Sequence, residues 1–382
     1  MRKILFFSTT RSDYGLISPI IKKIKKDKKL KYYFVVTSSH TNTNFGKTIK
    51  EIIKDKIKIN KIIRCDYKNN NSAANLKNIA DGLDKIINQI KPNILFLPGD
   101  RYEMLSAAHV ALLRNIPIFH YAGGQLTEGA WDNAIRHAVT KIANIHFVST
   151  NQCKKRLISM GEQPKNIFVT GSIGVENLIN KKYISKNELE KKINFKIDNK
   201  TILITYHPET LNPESSLNNF KHLITTLKYY KDIRVIFTSP NHDHGYFEIQ
   251  KNIKSFVKKN SNRSIYIESL GREVFLATLN YVSLIIGNSS SGIIEAPSFN
   301  LKCINIGDRQ KGRYFSNNIY SSKGSVSNMK FLIRKILFTK KINKKTKFKN
   351  LYFKKNTASK IYQIIKKQNL KKILIKKFYE KR

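Results

Sequence analysis

Short apolar runs alternate with amphipathic helical segments along this chain, and they do so in two successive sets. Runs such as Ile4-Leu-Phe-Phe, Tyr33-Phe-Val-Val, Ile94-Leu-Phe-Leu, Ile116-Pro-Ile-Phe, Ile145-His-Phe-Val and Ile167-Phe-Val are too short for helices and apolar on both faces. Such runs fit strands of a parallel sheet covered on both sides. Between them, Ile17, Ile20, Ile21 and Ile24 share one face of a helix expected from about Gly15 to Lys26. Leu76, Ile79, Leu83, Ile86, Ile87 and Ile90 mark a second helix, stopped before Pro92, and a third is expected from about Glu103 to Arg114. The pattern restarts after a Lys/Asn-rich stretch near 180–200 with Ile202-Leu-Ile, Val235-Ile-Phe, Ile265-Tyr-Ile, Leu284-Ile-Ile and Cys303-Ile-Asn-Ile. The expected fold is α/β: two Rossmann-like, doubly wound domains and a C-terminal helix. The expected boundaries are 1–175, 176–350 and, for a basic tail with Ile361, Ile364 and Ile365 at helical spacing, 351–382.

Charge narrows the function less than it first suggests. Net charge is +45, from 71 Lys+Arg against 26 Asp+Glu. Such a balance raises nucleic acid or an anionic membrane as a partner. The lysines, however, are spread along the whole chain beside Ile and Asn, as in Ile21-Ile-Lys-Lys-Ile-Lys-Lys, with no basic and aromatic interleaving. The reading is a solvated surface, with neither nucleic acid nor membrane as partner. No run approaches the roughly 18 apolar residues that cross a bilayer, and the apolar run behind Met1 is too short for a signal peptide. Cys65, Cys153 and Cys303 are scattered and form no metal or redox spacing. A cytoplasmic location is expected.

Polar clusters follow the strands, where ligands sit in parallel α/β sheets. Thr9-Thr-Arg-Ser-Asp-Tyr-Gly follows the first, and Arg11 there suits an anion at a helix N-terminus. Gly99-Asp100-Arg101 follows the run at 94–97, and a Gly-rich segment, His120 to His137, follows 116–119. In the second half come His207-Pro-Glu, then Asn241-His-Asp-His, then Gly287-Asn-Ser-Ser-Ser-Gly-Ile-Ile-Glu-Ala-Pro, then Gly307-Asp-Arg-Gln-Lys-Gly-Arg. The Ser/Gly loop opening onto a helix can cradle phosphate, Glu295 can accept from ribose hydroxyls, and Arg309, Lys311 and Arg313 supply cations. His137 and His146 read as core or surface residues. His242 and His244 flank Asp243 but have no distant third ligand, so no metal is expected. No Gly-x-Ser-x-Gly elbow is present among Ser289, Ser290 and Ser291, against a hydrolase triad.

Taken in order, these blocks resemble the hydrolysing UDP-N-acetylglucosamine 2-epimerases, the bacterial sialic-acid and legionaminic-acid pathway type. The resemblance covers roughly residues 3–320 and rests on Thr10-Arg-Ser-Asp-Tyr-Gly, Gly99-Asp-Arg, Gly123-Gly-x-x-Thr-Glu-Gly-Ala-x-Asp-x-x-Ile-Arg-His-Ala, His207-Pro and Asn288-Ser-Ser-Ser-Gly-Ile-Ile-Glu-Ala-Pro. It implies GT-B architecture with the active site in the interdomain cleft, no metal, no bound cofactor, and a homodimer or homotetramer. It implies a UDP-linked N-acetyl sugar as substrate: UDP-GlcNAc, or UDP-2,4-diacetamido-2,4,6-trideoxyglucose. A base removes the C2 proton as UDP leaves C1, and the glycal is then hydrated with a proton returned to the other face. By the same resemblance Asp100 and Asp132 handle protons, with Glu128 a third carboxylate. His207, Arg11 and the Ser289/Ser290 loop stabilise the departing diphosphate, and Gly15, Arg101, Asn241, Leu270, Glu295, Arg309 and Arg313 contact substrate. Where the family often carries Glu after the paired glycines, this chain has Gln125, whose amide orients rather than abstracts. Two neighbouring readings stay open, a non-hydrolysing 2-epimerase and a GT-B glycosyltransferase.

Overall fold

The computed structural model of the chain describes residues 1–37, 40, 49–65, 72–128, 131–179, 182–209, 211–241, 245–339 and 347–380. It divides into two compact units. One holds Met1–Gln125, Asp132–Glu176 and Tyr352–Arg382; the other holds Leu126–Trp131 and Asn177–Leu351.

The first unit runs β1 (Arg2–Ser8), α1 (Arg11–Ile24), β2 (Leu30–Thr37), α2 (Ile49–Lys54), β3 (Lys61–Ile63), α3 (Ser72–Ile90), β4 (Ile94–Pro98), α4 (Tyr102–Leu113), β5 (Ile118–Tyr121), α5 (Asp132–Ile142), β6 (Ile145–Val148), α6 (Asn151–Ser159) and β7 (Ile167–Val169), then enters α7 (Ile173–Ile179). Its strands form one sheet in the order β3-β2-β1-β4-β5-β6-β7, with every pair parallel. Helices cover both faces, so the central strands carry apolar residues on both sides; Ile4, Leu5, Phe6 and Phe7 are all fully buried. Phe6 and Ile4 face the α1 core, while Leu5 and Phe7 face the α3–α4 core. The start of α1 is fixed by a capping box between Thr10 and Asp13. The Asp13 carboxylate accepts from Thr10 N (2.9 Å), Thr9 N (3.1 Å) and Thr9 Oγ1 (2.6 Å). Inside the same helix Pro19 has no N–H, so the Gly15 carbonyl is left without its intrahelical donor.

The second unit repeats the plan with α8 (Lys186–Ile193), β8 (Thr201–Thr205), α9 (Pro213–Tyr229), β9 (Arg234–Thr238), α10 (Tyr246–Lys259), β10 (Ser264–Ile267), α11 (Gly271–Tyr281), β11 (Leu284–Gly287), α12 (Ser291–Ile294), β12 (Lys302–Ile306), β13 (Ile319–Ser322) and α13 (Val326–Leu337). Its six strands pair in the order β10-β9-β8-β11-β12-β13, again all parallel. Two of the edge strands, β3 and β13, carry no extended apolar run, unlike the edge strands β7 and β10. Each is short, and only Ile63 of β3 and Ser322 of β13 are buried.

The C-terminal segment, read above as a basic tail of its own, is part of the first unit. It forms α14 (Thr357–Lys367) and α15 (Leu370–Leu374). Ile361, Ile365 and Ile373 enter the same core as Ile4 and Phe6, because the apolar residues recur at helical spacing. Glu176 accepts the first amides of α14 from Thr357 (2.9 Å) and Ala358 (3.0 Å). At the other end the Arg2 guanidinium donates to the carbonyls of Lys366 (3.1 Å) and Gln368 (2.9 Å). A carboxylate at the N-terminus and a cation at the C-terminus both suit the helix dipole.

Candidate active site

Each sheet reverses its strand order once, between β1 and β4 in the first unit and between β8 and β11 in the second. The loops leaving two such strands turn to opposite faces of the sheet and open a crevice at the carboxyl ends. Arg11 and Asp100 follow the first pair; His207 and the Asn288-Ser289-Ser290 segment follow the second.

In the first unit, Gly99 makes the turn after β4 at φ +81°, a conformation that favours glycine. His120 is buried, and its Nε2 lies 2.8 Å from the Gly99 carbonyl while Nδ1 lies 3.4 Å from Thr140 Oγ1. Burial drives its pKa down to about 3. The ring is therefore neutral, and because a carbonyl only accepts, the proton sits on Nε2. Asp100 is gripped by Arg136, which is 1% exposed, and which also donates to the Gln125 carbonyl (2.6 Å). Arg136 thus joins the turn after β4 to the turn after β5. The Gln125 amide donates to Ser149 Oγ (3.2 Å). Ahead of it Ala122 holds φ +72° and Gly124 φ +75°. A non-glycine residue in the left-handed region costs about 1–2 kcal/mol, so the Ala122 turn is strained. Gly124 has no alternative, since a Cβ there would fall 2.5 Å from Leu157 and 2.8 Å from the Cys153 carbonyl.

Asp132 is the first residue of α5, four positions before Arg136. Arg11 opens α1 and pairs with Glu51 at 2.5 Å. Arg101 flanks α4 and pairs with buried Glu103 at 3.2 Å. Glu128 belongs to the second unit, exposed and 3.5 Å from Lys311.

In the second unit, Asn288 bridges the switch point. Its Oδ1 accepts from His207 N (2.7 Å) and its Nδ2 donates to the His207 carbonyl (2.8 Å). His207 Nδ1 accepts from Asn241 N (3.1 Å). Burial, then the nearby Arg309, lower its pKa to about 3. The neutral ring consequently carries its proton on Nε2, a donor for an anion rather than a cation. Ser289 and Ser290 are half-exposed at the start of α12, and Glu295 directly follows that short helix. Arg309 (3.3 Å) and Gln310 (2.8 Å) donate to the Asn288 carbonyl from the loop after β12. Buried Glu209 accepts from Arg309 and Asn288, and its own burial raises its pKa. The Leu270 side chain is buried in an apolar cluster with Leu276 and Ile285, and its backbone stands at the N-cap of α11. Arg313 is half-buried in the loop after β12.

Sequence reading missed Arg136, His120, Asn288 and Gln310 as builders of the two crevices. Their positions inside the quoted blocks were the only signal, because each acts on a residue 21 or more positions away. His146 is a core residue, 2.9 Å from Glu162, and His137 lies half-buried on α5. His242, Asp243 and His244 lie outside the described residues.

Two all-parallel, doubly wound units, each with its polar residues gathered at a switch point, define a protein of the GT-B type. The family model for UDP-N-acetylglucosamine 2-epimerase matches residues 22–366. A GDP/UDP-N,N'-diacetylbacillosamine 2-epimerase (hydrolyzing) of Campylobacter jejuni is 38% identical over 325 residues, 84% of either chain. The UDP-N,N'-diacetylbacillosamine 2-epimerase (hydrolyzing) of Legionella pneumophila is 32% identical over 369 residues, 96% of either chain. The structure of UDP-GlcNAc 2-epimerase from Neisseria meningitidis bound to UDP-GlcNAc superposes with a TM-score of 0.82, at 20% identity over 96% of this chain and all of the other. That last likeness speaks for the fold. The chain belongs to the UDP-N-acetylglucosamine 2-epimerase family.

Proposed function

We propose that this chain is a hydrolysing 2-epimerase, releasing UDP and a free manno-configured sugar from a UDP-linked N-acetyl sugar, with the 2,4-diacetamido-2,4,6-trideoxy sugar preferred over GlcNAc. The preference rests on the two diacetylbacillosamine epimerases among its relatives. The observation that carries the reaction is the contrast between the two switch points. In one, the Asp100 carboxylate is held by a buried arginine beside a strained turn. In the other, a neutral histidine, backbone amides and serine hydroxyls offer donors, with arginines close by.

A C2–H beside an acetamido group is barely acidic, so departure of the diphosphate from C1 must carry the reaction. Donors set where negative charge develops lower that barrier most. Arg11, His207, Ser289 and Ser290 take this role, with Arg309 and Arg313 as further cations and Glu295 accepting from the ribose. Gly15, Arg101, Asn241 and Leu270 complete the substrate contacts. Inversion at C2 needs a proton removed from one face and returned to the other. Asp100 and Asp132 serve as the pair, with Glu128 a third carboxylate, and Gln125 orients the sugar or the water that adds to C1. The enzyme works in the cytoplasm as a homodimer or homotetramer, in sialic-acid-type or legionaminic-acid biosynthesis; none of its three cysteines is in a disulfide.

The test is incubation of the purified protein with the UDP-2,4-diacetamido sugar or UDP-GlcNAc and no acceptor. UDP and free 2-epimerised sugar are expected from both, with the larger kcat/KM for the diacetamido sugar. No UDP without an added acceptor would instead favour a glycosyltransferase, and a UDP-sugar returned with C2 inverted would favour a non-hydrolysing epimerase.

A further inference from the structure

Lys376 lies just beyond α15, remote in sequence from Asp100 and Asp132. Its ammonium donates to the carbonyls of Thr140 (3.0 Å) and Ala143 (2.6 Å), and it pairs with Glu162 at 2.6 Å. Those carbonyls stand at the C-terminal end of α5, where the last turn has no backbone donors of its own and a cation is favoured. Glu162 is 2% exposed and also receives Lys141 (2.9 Å) and His146 Nε2 (2.9 Å). The chain on either side is fastened too. Asn144 Nδ2 donates to the Ile373 carbonyl (2.8 Å), Gln163 to the Phe378 carbonyl (3.2 Å), and Tyr379 N to the Gly161 carbonyl (2.8 Å). The Phe378 ring lies under the Lys141 ammonium at 4.9 Å. It occupies the space over Gly161, where any Cβ would fall 2.2 Å from the ring.

The held helix also carries residues of the candidate site. Asp132 begins α5, Arg136 on its second turn grips Asp100, and Thr140 touches His120, which fixes the Gly99 carbonyl. A helix of this length moves as a rigid rod, so an end left unanchored shifts every side chain along it.

We propose that Lys376 is a positioning residue for the reaction: with Phe378 and Tyr379 it forms a C-terminal latch that fixes α5 and, through it, Asp132, Arg136 and Asp100. The proposal rests on the reading of Asp100 and Asp132 as the proton-handling pair. Lys376→Met keeps the apolar stem and removes the charge, while Lys376→Arg keeps charge and donors. Four quantities are measured on each: kcat and KM for the UDP-sugar, UDP affinity by calorimetry, and amide hydrogen exchange across residues 132–142. Lys376→Met is expected to lower kcat about tenfold or more, since small misplacements of reacting groups are costly. It should speed exchange in 132–142 while leaving KM and UDP affinity unchanged, and Lys376→Arg should restore both rate and protection. Wild-type exchange in Lys376→Met, or faster exchange with wild-type kcat, overturns the proposal. Should Lys376→Met fail to fold, Phe378→Ala is read against the same outcomes. A wild-type protein that turns over no UDP-sugar overturns the functional reading instead, and the exchange measurement still decides whether the latch holds α5.

Discussion

Asp100 and Asp132 are both carboxylates of the first unit, yet they are held differently. Asp100 is fixed by Arg136, one of the largest fully buried side chains of the molecule, whereas Asp132 takes its place from the start of a helix. Asp100→Asn removes the charge and keeps the shape. It should lower kcat by about 10²–10⁴-fold, the usual cost of a lost general acid or base, with UDP affinity by calorimetry unchanged. A parallel loss of UDP affinity would place Asp100 in nucleotide binding instead. That Asp100, His207 and the serines directly follow buried strands was legible in the sequence; the roles given to them and to Asp132 are proposals. The partner that fixes each one was not legible. Arg136 lies 36 positions from Asp100, and Asn288 lies 81 from His207, distances that only the folded sheet closes. The tautomers of His120 and His207 are likewise set by carbonyls and amides that no local pattern announces.

At the scale of elements, apolar runs revealed the buried strands because parallel strands covered on both faces admit little else. Edge strands lack that constraint: β7 and β10 still carry apolar runs, but Lys61-Ile-Ile of β3 and Ile319-Tyr-Ser-Ser of β13 offer none long enough to read. The junction of β8 and β11 shows how tightly the centre is built. Gly287 sits at φ +145°, and a Cβ there would lie 1.9 Å from the Thr205 carbonyl. Gly287→Ala forces the two central strands apart beneath the Asn288–Ser290 loop. It should cost about 3 kcal/mol, the upper end for overpacking, read as a lower urea midpoint; a midpoint equal to wild type would contradict the packing. The C-terminal latch makes a second prediction at this scale. Burial opposes the charge on Glu162, but hydrogen bonds from His146, Lys376 and Lys141 win and bring its pKa down to about 2 from an ordinary 4.5. A carboxylate held lower in the folded state than in the unfolded stabilises above its unfolded pKa and loses that contribution as pH falls through the folded one. Urea midpoints of wild type and Glu162→Gln should therefore differ most at pH 5 and above and converge as pH falls towards 2. A gap that widens on acidification would contradict the assignment.

For the whole molecule, two sets of βα units were enough to read two doubly wound domains, since few other architectures satisfy that alternation. The return of the chain to the first unit at Tyr352 was not readable, because a Lys-rich amphipathic helix fits any apolar surface and only the core around Ile4 and Phe6 selects this one. The net charge of +45 belongs to this scale as well. It is spread over the whole chain, while each switch point gathers only a few charged and polar side chains of its own unit. NMR of the reaction in D₂O reads elimination of UDP followed by hydration at the carbon that inverts. Free UDP and a free manno-configured sugar carrying deuterium at C2 are expected, because the proton returned to that carbon comes from a group that exchanges with solvent. A released sugar with its original hydrogen at C2, or one that keeps the gluco configuration, would contradict it.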